Sequence, residues 1–222
     1  MHFRNVIIFG ATGDVGSAFV SLLSPISEKM TLAVRNLSKL NPEFAVKPHV
    51  SVFEFNFPEN TASLGHILSD ELDCFDLVVN AIGSYSQTTD ILNISHFESL
   101  INSNFNVLQK ILLAVRPFVS EESKFINISS IASHAGGPEE TAYSSSKALV
   151  DKLMDSLRFD EKYKNVRTLN VRPGAIIGKT TESRQGSSKF IDPHELAKLC
   201  VLTVCAGNSL TVPVLDVYRR SY

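Results

Sequence analysis

Short, unbroken apolar runs alternate along the chain with longer stretches in which apolar residues recur at helical spacing. The runs Arg4–Phe9, Thr31–Val34, Val50–Phe55, Leu77–Asn80, Lys124–Ile128, Arg167–Val171 and Thr211–Val217 are rich in β-branched and aromatic residues. They end in turn formers and predict strands. The periodic stretches Asp14–Ser24, Ala62–Leu72, His96–Val119, Thr141–Tyr163 and Pro193–Ala206 predict helices. Asp192-Pro193 opens the last of these as an N-cap followed by proline at the first helical position. The strands read as continuous apolar runs, as strands covered on both faces do. This alternation predicts right-handed crossovers and an α/β fold: a doubly wound parallel sheet of about seven strands with helices on both faces. One domain spanning residues 1–222 is expected.

Composition narrows the partners. The 222 residues are 44% hydrophobic and 20% charged, a balance that buries a sizeable core, and the net charge of −2 favours neither nucleic acid nor a membrane surface. No apolar run reaches the length of a membrane span. The first strand begins within a few residues of Met1, which leaves no room for a signal peptide. Without secretion, the sequons at Asn36, Asn93 and Asn127 carry no meaning. Cys74, Cys200 and Cys205 form no CxxC pair and read as reduced thiols of a cytoplasmic protein. The histidines show no metal-ligand spacing, so no metal is expected.

The first candidate chemistry is GATGDVG, Gly10–Gly16, between the first strand and the first helix. Backbone amides in such a loop, together with the helix dipole, favour an anion, and a dinucleotide pyrophosphate sits at this place in doubly wound folds. An acid about 20 residues past the glycines ordinarily bonds the NAD ribose. The chain instead reads Val34-Arg35-Asn36, and Arg35 can pair with the 2′-phosphate of NADP. NADP(H) is therefore preferred and NAD(H) remains possible. The alternative for Arg35 is a solvated surface side chain.

Tyr143 and Lys147 stand four apart at the start of a predicted helix and share a face. An ordinary phenol, with a pKa of about 10, is too weakly acidic to exchange protons readily at neutral pH, and a nearby ammonium lowers that pKa. Ser129 and Ser130 end the fifth strand, on the carboxyl edge where such sheets bind ligands.

Together these residues resemble the short-chain dehydrogenase/reductase family, from Val6 to about Val217. The family places a serine thirteen residues before Tyr-x-x-x-Lys, which assigns the role to Ser130 rather than Ser129. Asn104 matches the family's fourth catalytic residue. Asn80-Ala81-Ile82-Gly83 resembles its segment after the fourth strand, and Arg172-Pro173-Gly174 its Pro-Gly after the sixth. The resemblance implies a Rossmann fold that interconverts a small-molecule carbonyl and alcohol by hydride transfer. Asn104, Ser130, Tyr143 and Lys147 would be catalytic. The cofactor would lie on Gly10, Thr12, Gly13, Asp14, Val15, Gly16, Arg35, Asn36, Asn80, Ala81, Ile82, Gly83, Tyr143, Lys147, Pro173, Gly174 and Ile176, with Asn56 and Phe57 beside the adenine. It also implies a homodimer or larger homo-oligomer, paired through the helices His96–Val119 and Thr141–Tyr163, whose apolar stripes look wide for one-sided packing.

The departures shape further expectations. Asp14 stands at an expected glycine, a spacing similar to the extended and atypical branches. Ala81 replaces an asparagine, so a support of the central sheet is expected to be missing. Gly178 stands where a threonine often binds the carboxamide, with Thr180 or Thr181 as substitutes. The chain after Thr180 is too short for the extended branch's substrate domain, and Thr181–Ile191 is the expected lid. His134 is read as a loop residue and His194 as solvated. A dinucleotide-binding regulator without catalysis and a sugar-nucleotide epimerase or dehydratase are the competing classes.

Overall fold

The computed structural model describes residues 1–55, 74–179, 181, 182, 186, 189–207 and 210–219. The predicted helix Ala62–Leu72, and with it Asn56, Phe57 and Thr180, lie outside the described residues.

The described strands are β1 (Phe3–Phe9), β2 (Ser27–Val34), β3 (Val50–Glu54), β4 (Leu77–Asn80), β5 (Lys124–Ile128), β6 (Arg167–Pro173) and β7 (Val214–Val217). They form one sheet in the order β3-β2-β1-β4-β5-β6-β7, and every pair is parallel. The described α-helices are α1 (Asp14–Leu23), α2 (Pro42–Ala45), α3 (Ile94–Leu100), α4 (Val107–Val115), α5 (Ala132–Ala135), α6 (Thr141–Ser156) and α7 (Pro193–Val204). Asp192 caps α7 by accepting the amides of His194 and Glu195, as its sequence predicts.

Side-chain alternation divides the core. Ile8 of β1 joins a cluster with Phe19 and Leu23 of α1 and Cys200 of α7. Its neighbours Ile7 and Phe9 join Leu108 and Ile111 of α4 and Met154 of α6 on the other face. Both faces are therefore dry, which is why the strands carry no polar alternation. Burial pushes the Cys200 thiol up to about 12, consistent with a core residue.

Several element boundaries differ from the sequence expectation; β7, for example, starts at Val214 rather than Thr211. β2 starts at Ser27 rather than Thr31, because its polar beginning pairs with β1 from Phe3 onward. The long helix His96–Val119 is a helical run in pieces: a π-helical turn, Ile101–Asn106, joins α3 to α4. Helix α6 stops at Ser156 and passes into a 3₁₀ turn.

Most of the apolar stripe on these helices is used within the chain. Leu100, Leu108, Ile111, Leu112, Val115, Val150, Met154 and Leu157 are buried, whereas Leu113 and Leu149 stay 67% and 40% exposed.

β1 pairs with β2 on one side and β4 on the other, so the chain reverses direction of travel across the sheet at this point. The ends of β1 and β4 thus border the crevice where open α/β sheets bind ligands.

Candidate active site

Gly10 leaves β1 with φ +86, a left-handed conformation that glycine adopts without strain, and its amide donates to the Ala33 carbonyl (3.1 Å). At Gly16 a Cβ would lie 2.0 Å from the Gly10 carbonyl oxygen, so the first turn of α1 folds back on the loop only without a side chain there. Gly13 is the N-cap of α1 and contributes no side-chain cap, which leaves the leading amides of the helix for an anion. Thr12 and Val15 are half-buried beside it.

Asp14 and Gly178 prove to be partners. The Asp14 carboxylate accepts the Lys179 amide (3.1 Å), and a Cβ on Gly178 would come 2.2 Å from Asp14 Oδ2. The two departures from the family pattern are one packed contact joining the glycine loop to the loop after β6. The Thr181 hydroxyl turns back to the carbonyls of Ile176 and Gly178. Ile176 bridges to Ile191, so the far end of the expected lid is paired with this loop.

At the end of β2, Arg35 is exposed. Asn36 caps a 3₁₀ turn, its side chain accepting the Ser38 amide. Glu54, opposite Val34 in register, accepts the Leu37 amide (3.3 Å), so a carboxylate reaches this corner from β3. No spacing rule reveals it.

The cleft beyond β4 and β5 is lined by Ala81, Ile82, Gly83, Ser130, Tyr143, Lys147, Pro173, Gly174 and Ile176, among others. Sequence-predicted residues from five separate stretches meet here. Asn104, in the π-helical turn, accepts the Ser84 amide (2.8 Å) and donates to the Ser84 carbonyl and to Ser146 Oγ. Lys147 is buried, donates to the Ile128 carbonyl (3.3 Å) and holds its Nζ 6.0 Å from the Tyr143 ring centroid. Gly83 has a steric reason: a Cβ there would lie 3.1 Å from Lys147 Nζ and 3.3 Å from Asn104 Oδ1. Burial lowers the Lys147 pKa to about 8, against an opposing pull from Asp151.

Ser129 and Ser130 have separate partners. Both residues line the cleft, but Ser129 Oγ donates to Asp151 (2.5 Å), while Ser130 Oγ accepts the Ala132 amide (3.1 Å). The Asn80 side chain is also committed: it donates to Asn127 and accepts the Ile82 amide. Asn127 donates in turn to Asn170 (2.8 Å), and the three asparagines share one register row across β4, β5 and β6. Contrary to the expectation from Ala81, the central sheet has a continuous side-chain support.

Sequence reasoning missed the wall beside Tyr143. Tyr85 packs edge-on against the Tyr143 ring, with centroids 4.8 Å apart, and donates its hydroxyl to Glu140 (2.7 Å). Glu140 also accepts the Gly137 amide, and Thr88 ties the same loop through the Glu139 carbonyl. Glu139 takes φ 64, uncommon outside glycine. Outside the cleft, the short helix α5 holds His134 4.0 Å from Asp216, and His194 is exposed.

A dinucleotide crevice beside a Ser, Tyr and Lys cluster defines an oxidoreductase-type site. The short chain dehydrogenase family profile matches residues 4–189, and the chain belongs to that family. Among similar proteins is an uncharacterized oxidoreductase from Staphylococcus aureus, 25% identical over 95% of each chain. A short-chain dehydrogenase/reductase structure from Mycobacterium ulcerans superposes with a TM-score of 0.84, at 20% identity over 98% of this chain and 90% of that one. A short chain dehydrogenase from Burkholderia cenocepacia in complex with NADP gives 0.82, at 19% identity over 99% and 89%. The protein is an NAD(P)-dependent dehydrogenase/reductase of this family.

Proposed function

We propose that the protein reduces a small-molecule carbonyl to an alcohol, reversibly, with NADP(H) preferred and Tyr143 as the acid–base group. The observation that carries this reading is the convergence of Ser130, Tyr143, Lys147 and Asn104 at one cleft beside the glycine loop. The cradle suits a dinucleotide: α1 begins without a side-chain cap, and glycine at position 16 lets the loop backbone close on itself.

The bound cofactor supplies the hydride. Ser130 Oγ and the Tyr143 hydroxyl hold the carbonyl oxygen, and Tyr143 donates the proton. The Lys147 ammonium stabilises the phenolate that remains. Asn104, fixed by Ser84 and Ser146, would hold a water that returns a proton toward Lys147. NADPH oxidation across a carbonyl panel tests the activity. Tight dinucleotide binding without turnover would favour the regulator reading, and a retained nucleotide sugar the epimerase reading.

Lys147 sets a pH dependence. Its pKa is lowered from 10.5 to about 8, so it is charged below that pH and neutral above it. Reductive kcat/KM is expected to fall as pH rises through about 8, because the charge that stabilises the phenolate is lost. A profile flat to pH 10 or so would remove Lys147 from this role.

The cofactor preference rests on Arg35. NADPH is expected to bind more tightly than NADH, and Arg35→Ala to narrow the gap about tenfold, the worth of a charge-assisted contact. Glu54 at the same corner favours the opposite preference, through the NAD ribose. Equal dissociation constants in the unmodified protein would refute the NADP assignment.

The domain is read as one unit, acting in the cytoplasm; three free cysteines agree with a reducing compartment. A homodimer through the α3–α4 run and α6 is supported by exposed Leu113 and Leu149. Light scattering at micromolar concentration should give at least about twice the 24.4 kDa chain mass. A monomer mass that persists on concentration excludes it.

A further inference from the structure

Helix α6 carries a second ionisable group, with a largely covered side chain, one turn beyond Lys147. Asp151 and Lys147 are four apart and share a helix face. Three donors converge on the Asp151 carboxylate, whose side chain is only 10% exposed. Ser129 Oγ and Asn170 Nδ2 reach one oxygen, at 2.5 and 2.7 Å, and Arg172 Nε reaches the other at 2.7 Å. Through Asn170 the carboxylate ends the asparagine row that begins at Asn80 behind the cofactor crevice. Helix α6 holds the end of β5 at two successive residues, with Lys147 on the Ile128 carbonyl and Asp151 on the Ser129 hydroxyl.

We propose that Asp151 is a positioning residue for Lys147: its carboxylate is the counter-charge that keeps the buried ammonium charged, and Arg172 limits how much of that field Lys147 feels. The proposal rests on the reading of Tyr143 and Lys147 as an acid–base pair. Several groups face Lys147. They are Tyr143 and Asp151 from α6, the Ile128 carbonyl from β5, Asn104 from the π-helical turn and Gly83 from the segment after β4. Among these described groups Asp151 bears the negative charge. Arg172 on β6 acts through Asp151 and is shared with Asp216 at 3.6 Å. A role in sheet support alone would explain the hydrogen bonds but not a charged link to Lys147. A titration of Lys147 separates the two, since sheet support alone leaves no reason for its midpoint to fall when the neighbouring carboxylate is neutralised.

The test is a titration of the full chain labelled with ¹³Cε-lysine, read by NMR, with the Lys147 resonance identified by its loss in Lys147→Met. Asp151→Asn should lower the Lys147 midpoint by about one unit, the low end of the effect of a nearby opposite charge. Arg172→Gln should raise it, because Asp151 is then less neutralised. Loosened packing would admit water and raise the midpoint in both variants, so the fall in Asp151→Asn is the discriminating sign. If Asp151→Asn does not fold, the double variant Asp151→Asn/Arg172→Gln removes both charges and should still titrate below the unmodified protein. An unchanged or raised midpoint in Asp151→Asn, or in the double variant where Asp151→Asn does not fold, overturns the proposal. The readout needs no turnover. Absent carbonyl reduction with shifted titrations would count against the proposed activity alone, and active enzyme with unshifted titrations against Asp151 alone.

Discussion

Tyr143→Phe is expected to cut turnover by about 10²- to 10⁴-fold, the typical worth of a positioned general acid–base group. NADPH affinity should stay near that of the unmodified protein. The substitution keeps the ring, and the ring is what packs against Tyr85 at 4.8 Å and stands 6.0 Å from the Lys147 ammonium. It removes only the oxygen that carries the proton. Steady-state kinetics on an active carbonyl substrate and a fluorescence titration with NADPH measure the two quantities separately. An unchanged kcat would show that another group moves the proton. A joint collapse of kcat and cofactor binding would mean that the phenol organises the cofactor cleft rather than the proton transfer.

The second large effect is expected at Gly16. Its replacement by alanine brings a methyl group to 2.0 Å from the Gly10 carbonyl oxygen and 3.0 Å from the Ala11 Cα. Both are backbone atoms, so no side chain can swing away. Gly10 itself has φ +86 and is bonded to Ala33, which removes the simplest way for the loop to yield. Gly16→Ala should cost about 1–3 kcal/mol of stability, as overpacking does, and weaken NADPH binding at least tenfold, roughly the worth of one lost charge-assisted amide contact. Gly13→Ala is the control for stability, because the nearest atom to its Cβ is 3.5 Å away, an ordinary contact. Urea unfolding compares the two, and NADPH titration measures the loss in Gly16→Ala. Equal behaviour of both variants would show that the loop has more freedom than its packing allows.

The candidate site was legible where chemistry is local. Tyr143 and Lys147 share a face by helical spacing, which gains weight only together with the family resemblance, and the glycine loop is marked by its place between a strand and a helix. Ser130 was separable from Ser129 only by the spacing of the family it resembles, and the fold shows a difference the sequence does not: the Ser129 hydroxyl donates to Asp151, while the Ser130 hydroxyl accepts the Ala132 amide. Asn104 was legible only as a match. Its placement depends on a π-helical turn, and nothing in the apolar period of His96–Val119 marks that interruption. The start of β2 was missed because Ser27-Glu28-Lys29 is polar, and its strand character comes from pairing with β1.

The sequence by itself determined the element types, the two-sided burial of the strands and the positions of the glycines, because apolar periodicity and backbone conformational freedom are properties of neighbouring residues. The tertiary structure decided which distant residues meet. Asp14 and Gly178 looked like two separate losses from a family pattern, and they are one contact across the crevice. Gly83 looked like part of a motif, and its lack of a side chain makes room for Lys147 and Asn104. Tyr85, Glu140 and Asp151 carried no signal, because the partners that give them meaning lie on other elements or depend on how α6 packs. The order of strands in the sheet sets those meetings, and that order is reached only when both apolar faces are buried together.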